Sequence, residues 1–386
     1  MKSKLWLFRT PGNILFGNDA AKEIGKQVRR LHGTNALVIT DKGLVQAGIA
    51  AKIENLLKDE GIKIAVFDEV EPDPSVEVVE KSFDFAKQND YDVIVGLGGG
   101  SSIDIAKITS IMLTNKESIH NYFGVEKISK PGIPTIMLPT TAGTGAEVTP
   151  NAIFTDTKEK LKKGIVSHYL FPTVAIIDPL LTVSMPPSIT ASTGIDALTH
   201  AIESYISVNS SNITDMFAEK AISLICNNIR IAFARGGDVG ARYRMCLGSM
   251  YAGVSLANAG VGAVHALAYP LGGQFHIPHG VANACMLPYV MEFNAFGCMS
   301  KVERILSIVA ISTEGLSFNE KTEKFTNFLK DLNRDLKIPL HLREQGVDKD
   351  SISQLGEFAV SYLRLLKNNP RDLTVKDAIA IYKAAF

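Results

Sequence analysis

The sequence is poor in several features that mark particular protein classes. Its 386 residues include only four cysteines, Cys226, Cys246, Cys285 and Cys298. They have neither CxxC spacing nor the density of a disulfide scaffold, which favours free thiols in a reducing, cytoplasmic compartment. The 40 basic residues equal the 40 acidic residues in number, so no overall field draws the chain to nucleic acid or to an anionic membrane.

Charged residues are also absent from one long stretch, between Arg244 and Glu292. Its length would suit a membrane span. However, three prolines interrupt the stretch, three histidines lie within it, and its many glycines and alanines permit close helix packing. We therefore expect a deeply buried helical core that surrounds a polar site.

The chain is long enough for two domains, and its patterns change near residue 184. Before this point, short β-branched runs alternate with helical patterns, which is typical of a parallel sheet with crossover helices. The first 17 residues have only a short apolar run and predict an edge strand rather than a signal peptide. Beyond residue 184, helical patterns continue almost to the last residue. The candidate strands are ALVITD (36–41), KIAVFDEV (63–70), YDVIVGLGGG (91–100), PTIMLPTT (134–141) and TVAIIDP (173–179).

These patterns predict an α/β protein with a second, all-α part. We expect a Rossmann-like, dinucleotide-binding domain over residues 1–183 and an all-helical domain over residues 184–386. No internal repeat or low-complexity linker separates them, so we expect tight packing with a cleft, the kind of place where ligand sites form.

A glycine-rich turn follows the third candidate strand, in the sequence YDVIVGLGGGSSIDIAK. Gly98, Gly99 and Gly100 would let a phosphate approach the backbone, where the N–H groups and dipole of the next helix attract it. Ser101 stands where the last glycine of GxGxxG would be. Taken alone, the loop is therefore equally compatible with a plain strand-to-helix connection.

A second loop, PTTAGTGAEVT, follows the next candidate strand and contains Thr140, Thr141 and Thr144. Ligands of open α/β sheets bind at the carboxyl ends of parallel strands, so one nucleotide could contact both loops. Asp41 ends an earlier strand, where a carboxylate can accept hydrogen bonds from the ribose hydroxyls of an adenosine. A helix N-cap is an equally good role for Asp41, and the two roles are compatible.

A second group of polar residues lies in apolar surroundings. Asp196 and His200 are four residues apart in STGIDALTHAIESYI, so a helix would place them on one face. Such a pair is often a satisfied part of a core. His265 and His279, however, lie in the charge-free stretch, where each buried imidazole needs polar partners. One carboxylate and three imidazoles form a plausible ligand set for a divalent first-row metal.

Four motifs, GGGSSID, PTTAGTGAEVT, GIDALTHAIE and HIPHGVANA, occur in an order and spacing that resemble the iron-containing (group III) alcohol dehydrogenases. The resemblance spans nearly the whole chain and is greatest to the lactaldehyde reductase and 1,3-propanediol dehydrogenase branches. It implies an α/β domain that binds NAD(H) and a helical domain that holds one divalent metal, usually Fe²⁺, across the cleft. The implied metal ligands are Asp196, His200, His265 and His279.

The resemblance also implies a set of cofactor contacts. The acid at position 41 implies NAD rather than NADP, and Lys162 is expected to orient the nicotinamide ribose. The full implied set is Asp41, Gly98, Gly99, Gly100, Ser101, Asp104, Thr140, Thr141, Thr144, Asn151 and Lys162.

The sequence departs from the family at one position near the expected metal. Members commonly continue the third ligand as HxxxH, whereas HALAY places Tyr269 at the second histidine. We expect Tyr269 to shape the substrate pocket and His276 to relay a proton. The structural alternatives are that Tyr269 packs before Pro270 and that His276 caps a loop.

The resemblance implies an NAD(H)-linked, metal-dependent alcohol dehydrogenase or aldehyde reductase, acting on a small primary alcohol, diol or aldehyde by hydride transfer. An alternative is a zinc-dependent polyol dehydrogenase similar to glycerol dehydrogenase. Members of the family are typically homodimers or larger homo-oligomers, and we expect no nucleic-acid or membrane partner.

Overall fold

The computed structural model describes residues 5–159 and 161–386. These residues form two compact units. The α/β unit comprises Thr10–Met185, and the helical unit comprises Pro186–Phe386 together with the N-terminal segment up to Arg9. The division follows Met185, beside the boundary predicted at residue 184. The N-terminal segment is joined to the helical unit by a hydrogen bond from the Arg9 N–H to Asn258 Oδ1 (2.7 Å).

The α/β unit contains a six-stranded parallel sheet, a three-stranded sheet and the helices that connect them. Its strands are β1 (Asn13–Phe16), β2 (Asn35–Ile39), β3 (Lys63–Phe67), β4 (Val93–Gly98), β5 (Gly124–Val125), β6 (Thr135–Pro139), β7 (Asn151–Asp156), β8 (Leu161–Val166) and β9 (Val174–Ile177). Its α-helices are α1 (Ile24–Arg30), α2 (Lys42–Gln46), α3 (Ile49–Asp59), α4 (Val76–Ala86) and α5 (Gly100–Asn115).

The large sheet has the order β1-β9-β6-β4-β2-β3, and its neighbouring strands are parallel. The five strands from β3 to β9 have the 2-1-3-4-5 order of a doubly wound fold, with the switch point between β2 and β4. Each of the five candidate strands named from the sequence is present, as β2, β3, β4, β6 and β9. The predicted N-terminal edge strand is present as β1, which pairs with β9.

The four central strands, β2, β4, β6 and β9, are almost wholly buried, which explains their continuous apolar runs. In β2, Leu37 and Ile39 belong to one hydrophobic cluster, and Ala36 and Val38 belong to another. Because successive side chains of a strand point to opposite faces, the two clusters are the cores on the two sides of the sheet.

The small sheet, in the order β5-β8-β7, was not predicted from the sequence. Its main part is the antiparallel pair of β7 and β8. Buried and partly buried residues alternate along β7, and only two of the six residues of β8 are buried. Both strands therefore lack the continuous apolar run that identified the central strands.

In the helical unit, the predicted absence of strands after residue 184 is confirmed for the described residues. The α-helices are α6 (Pro187–Ile206), α7 (Asn212–Ala234), α8 (Val239–Ala259), α9 (Ala263–Phe275), α10 (His279–Ile308), α11 (Phe318–Asp335), α12 (Ile352–Ser361), α13 (Leu363–Leu366) and α14 (Val375–Ala385).

The charge-free stretch forms most of α8, all of α9 and nearly the first half of α10. Most residues of α9, from Ala263 to Leu271, are buried, which accounts for the lack of a polar face. Among the described residues, no single helix is long and apolar enough to cross a membrane. Only together are α8 and α9 long and apolar enough, and the angle between them is 104°.

Candidate metal centre and nucleotide loops

Three helices of the helical unit bring the four predicted ligand residues together. Asp196 and His200 lie four residues apart on α6, His265 lies in the first turn of α9, and His279 begins α10. Each residue offers one ligand atom, and the four atoms lie within 4.8 Å of one another. The sequence predicted this set without showing how α9 and α10 would approach α6.

The four side chains converge on one point. Asp196 Oδ1 lies 3.7 Å from His200 Nε2, 3.9 Å from His265 Nε2 and 3.7 Å from His279 Nε2. Tetrahedral ligands with bonds of about 2.0–2.2 Å lie roughly 3.3–3.6 Å apart. The three Asp–His distances and the donor types therefore fit a divalent first-row ion once the ligand atoms, which spread over up to 4.8 Å, draw closer together.

The cluster is nearly buried except on one side. The side chains of Asp196, His200 and His265 are 3–7% exposed, whereas that of His279 is 26% exposed. Catalytic metal sites keep one position open for water or substrate, unlike closed structural sites. Access beside His279 is therefore the arrangement expected of a catalytic site.

The cluster also changes the acidity of its carboxyl group. Burial raises the pKa of Asp196, but charge interactions with the three histidines and a hydrogen bond from Asn283 outweigh it, so the net pKa lies below the ordinary value. The anionic form is the form that binds a metal.

Two residues at this site were missed by the sequence analysis. Asn283 Nδ2 donates to Asp196 Oδ1 at 2.7 Å and lies 3.2 Å from Nε2 of both His265 and His279. Glu203 contacts His265 from its other side. Asn283 follows His279 by four residues and Glu203 follows His200 by three, so helical spacing places each on the same face as a predicted ligand. That spacing does not reveal their partners on the other helices.

Tyr269 lies beside the cluster, as its place one turn after His265 predicts. It is 6% exposed. Its ring centroid lies 5.7 Å from that of His279, 6.3 Å from that of His265 and 5.2 Å from that of Tyr362. This position is compatible both with a role in the substrate pocket and with packing.

His276 is exposed and ends α9 with a left-handed backbone conformation (φ 54°). It is not one of the four clustered ligand residues. Its part in a proton relay stays a prediction.

In the α/β unit, the two predicted nucleotide loops follow neighbouring strands and contact each other. The Thr140 N–H donates to the Gly98 carbonyl at 2.9 Å. A Cβ at Gly100 would lie 2.8 Å from Thr144 Cγ2, and one at Gly99 would lie 3.5 Å from Thr141 Cγ2. The loops thus form one surface at the carboxyl edge of β4 and β6.

Gly98 is one position in this surface where the backbone conformation requires glycine. Its φ of +149° is rarely adopted by other residues, and a Cβ would lie 2.5 Å from Ser102 Oγ. Gly99 is the N-cap of α5, and Gly100 and Ser101 are its first residues. N–H groups at the start of this helix have no intrahelical partner, as phosphate binding requires.

Asp41 follows β2, which neighbours β4 at the switch point of the sheet. Its Oδ1 accepts a hydrogen bond from the Leu44 N–H at 3.0 Å, so it is the N-cap of α2. The cap that the sequence analysis left open is therefore present. It leaves the ribose role of Asp41 as a prediction.

Asp104 and Asn151 are linked through a buried group of charges behind the loops. Asp104 Oδ2 accepts from the Ile153 N–H at 2.9 Å, and Lys107 Nζ donates to the Asn151 carbonyl at 2.9 Å. Burial raises the pKa of Asp104 to about 6, although the positive charge of Lys107 lowers it in part. Burial also raises the pKa of Glu147 to about 7. These contacts anchor β7 to α5.

Lys162 lies on β8 and is 7% exposed. Its Nζ donates to Asp73 Oδ1 at 2.5 Å. This ion pair holds the ammonium group in one place, and its contact with a nicotinamide ribose stays a prediction.

Comparison with known proteins gives a consistent result over the whole chain. Residues 11–179 match the family model described as iron-containing alcohol dehydrogenase. Residues 190–386 match the model for the C-terminal part of the Fe-containing alcohol dehydrogenase family.

Individual relatives are similar over nearly their full lengths. Long-chain-alcohol dehydrogenase 1 of Geobacillus thermodenitrificans is 41% identical, over 96% of this chain and 94% of the relative. Lactaldehyde reductase of Escherichia coli is 38% identical, over 96% of this chain and 97% of the relative.

Two solved structures agree with this result. A crystal structure of 1,3-propanediol oxidoreductase has a TM-score of 0.96 and 38% identity, over 99% of this chain and 100% of the other. Sulfoacetaldehyde reductase from Bifidobacterium kashiwanohense, solved in complex with NAD⁺, has a TM-score of 0.89 and 30% identity, over 99% of each chain. The predicted resemblance is confirmed: this chain is an oxidoreductase that belongs to the iron-containing alcohol dehydrogenase family.

Proposed function

We propose that this protein interconverts a small primary alcohol or diol and its aldehyde, using NAD(H) and one divalent metal ion, with Fe²⁺ as the first candidate. The observation that carries the proposal is the convergence of one carboxylate and three imidazole nitrogens within 4.8 Å. Names of similar proteins support the substrate class, since they include a lactaldehyde reductase and a 1,3-propanediol oxidoreductase.

The proposed ligands are Asp196, His200, His265 and His279. When bound, the ion would act as a Lewis acid towards the substrate oxygen, and the nicotinamide would supply or accept the hydride. Burial of Asp196, His200 and His265 excludes water from most of the cluster, while the partly exposed His279 leaves a route for a small substrate. Tyr269 would limit the size and shape of the substrate on this side.

The proposed NAD(H) site is the surface formed by the two loops after β4 and β6. Free N–H groups at the start of α5 would bind the pyrophosphate, and the hydroxyl groups of Ser101, Thr141 and Thr144 could add hydrogen bonds. The carboxylate of Asp41 would accept bonds from the adenosine ribose and repel a 2′-phosphate. An NAD⁺ complex of a similar protein supports this choice of cofactor.

The test is a panel of aldehydes assayed by NADH consumption under reducing conditions with added Fe²⁺. The panel contains lactaldehyde, 3-hydroxypropanal, propanal, butanal, sulfoacetaldehyde and succinic semialdehyde, with a long-chain aldehyde because one relative is named for long-chain alcohols. We expect turnover with a small uncharged aldehyde, loss of turnover on dialysis against a chelator and recovery with Fe²⁺. Turnover that survives complete removal of metal would contradict the proposal.

A further inference from the structure

Glu203 is a nearly fully buried carboxylate, 2% exposed, that lies one turn after His200 on α6. Both of its oxygens contact the first turn of α9. Oε1 accepts from the Val264 N–H at 2.7 Å, and Oε2 lies 2.5 Å from His265 Nδ1. The same imidazole directs its Nε2 at the cluster, 3.9 Å from Asp196 Oδ1.

We infer that Glu203 is a positioning residue that holds His265 in the one tautomer able to bind a metal ion. The inference rests on the proposed ligand role of His265. An ionised carboxylate only accepts hydrogen bonds, so the nitrogen facing it must carry the imidazole proton. The proton is then on Nδ1, and Nε2 keeps its lone pair towards Asp196. Partners of this kind orient metal-binding histidines and increase their basicity.

Helix capping alone does not explain a carboxylate at this position. The neighbouring Ala263 N–H donates to Asn369 Oδ1 at 3.2 Å, so a neutral amide serves that N–H group. Burial of a carboxylate is costly unless each oxygen has a partner. Glu203 differs from Asn369 because two N–H donors, Val264 N and His265 Nδ1, face its two oxygens.

This difference predicts an unusual effect of Glu203→Gln, which preserves the shape of the side chain. An amide has one accepting oxygen and one donating NH₂ group. If the oxygen serves the Val264 N–H, the NH₂ group faces Nδ1 and forces the proton onto Nε2, where it blocks metal binding. If the amide turns round, its NH₂ group opposes the Val264 N–H, and the first turn of α9 loses its partner.

The experiment uses the full chain, labelled with ¹⁵N in histidine and freed of metal by dialysis against a chelator. Nitrogen shifts assign the tautomer of His265, and titration with Co²⁺ alone measures metal affinity by absorbance. In the parent protein we expect the proton on Nδ1. In Glu203→Gln we expect the proton on Nε2 and a Co²⁺ affinity about 10- to 100-fold lower.

Two further variants separate positioning from support of the fold. Glu203→Asp keeps two accepting oxygens, so it should keep the parent tautomer and recover part of the affinity. Asn369→Ala removes the neighbouring helix cap without touching His265, so it should lower the melting temperature and leave the tautomer unchanged.

The result that overturns the inference is a parent protein with the His265 proton on Nε2, or a Glu203→Gln variant with unchanged tautomer and Co²⁺ affinity. The His265 tautomer of the parent protein can overturn the inference even if the Gln variant does not fold. If the parent shows the expected tautomer but binds no Co²⁺, the proposed function fails, and only the control of the His265 tautomer by Glu203 stands.

Discussion

The α/β unit presents its candidate site mainly through backbone, whereas the helical unit presents its site through buried side chains. At the loop surface, Gly98, Gly99 and Gly100 expose N–H groups. In the helical unit, three helices carry four ligand atoms to one point. A backbone site tolerates loss of a side chain but not addition of one, while a side-chain site has the opposite sensitivity. Substitutions should therefore separate the two sites.

The largest effect is expected from His279→Ala. Removal of one of four ligands should lower turnover by at least about 100-fold and lower the metal content of the purified protein. NADH affinity, measured by fluorescence titration, should change little. His120→Ala is the matched control, because this histidine is exposed and lies in the α/β unit. Full activity with undiminished metal would remove His279 from the ligand set.

Gly98→Ala should lower NADH affinity and leave the metal content unchanged, the reverse of what is expected for His279→Ala. The added Cβ is disfavoured by the φ of +149° and by the contact with Ser102, and such strain costs about 1–3 kcal/mol. If the loop must relax in order to bind cofactor, NADH affinity should fall roughly 5- to 150-fold. Metal content should stay at the parent level.

Gly237→Ala is the matched control for this change, since a Cβ added at Gly237 would meet nothing within 4 Å and the φ of this residue is ordinary. Equal NADH affinity in the Gly98 and Gly237 variants would show that the loop after β4 is only a connection.

Asp41 can be tested in two ways that separate its charge from its helix cap. Asp41→Asn keeps a capping side chain and removes the charge, whereas Asp41→Gly removes both. If the carboxylate selects the cofactor, both variants should raise the ratio of NADPH to NADH activity, by about 10-fold for one lost charge contact of roughly 1.4 kcal/mol. If the ratio of NADPH to NADH activity is unchanged in both variants, Asp41 acts only as the N-cap of α2.

Tyr269→Phe should have the smallest effect. Loss of one hydroxyl should change kcat/KM a few-fold and unequally across the aldehyde panel if Tyr269 contacts substrate. His276→Ala is its companion, and a relay role predicts an altered pH profile of alcohol oxidation. If Tyr269→Phe retains the parent's ranking of aldehydes, the Tyr269 side chain has a packing role and does not determine substrate preference.

The comparison of the units also explains which features the sequence could predict. The central strands were predictable because strands buried on both faces are continuous apolar runs, as in VIVGLG of β4. The β7 and β8 pair was not, because LKKGIV is polar and half buried. Asp196 and His200 could likewise be paired from their spacing alone, because residues four apart lie on the same face of a helix.

Glu203 was harder to predict because its partners are set by tertiary packing. One of them, the Val264 N–H, is a backbone group with no signal in the sequence. Asn283 was missed because an amide has no preference for metal sites that would make it stand out from its apolar neighbours. Both roles became visible only when the approach of α9 and α10 to α6 was known.

The contact between α6 and α10 has a consequence for the response of the site to heat. A Cβ at Gly280 would lie 2.3 Å from the Ser192 carbonyl oxygen, so the two backbones touch with no side chain between them. Ser192 precedes Asp196 by one turn, and Gly280 adjoins His279. The backbone segments that carry these two proposed ligands are therefore held in direct contact, without an intervening side chain that could loosen on warming. If the proposed site holds an ion, its release and the separation of the two helices should occur at one temperature, in a single transition.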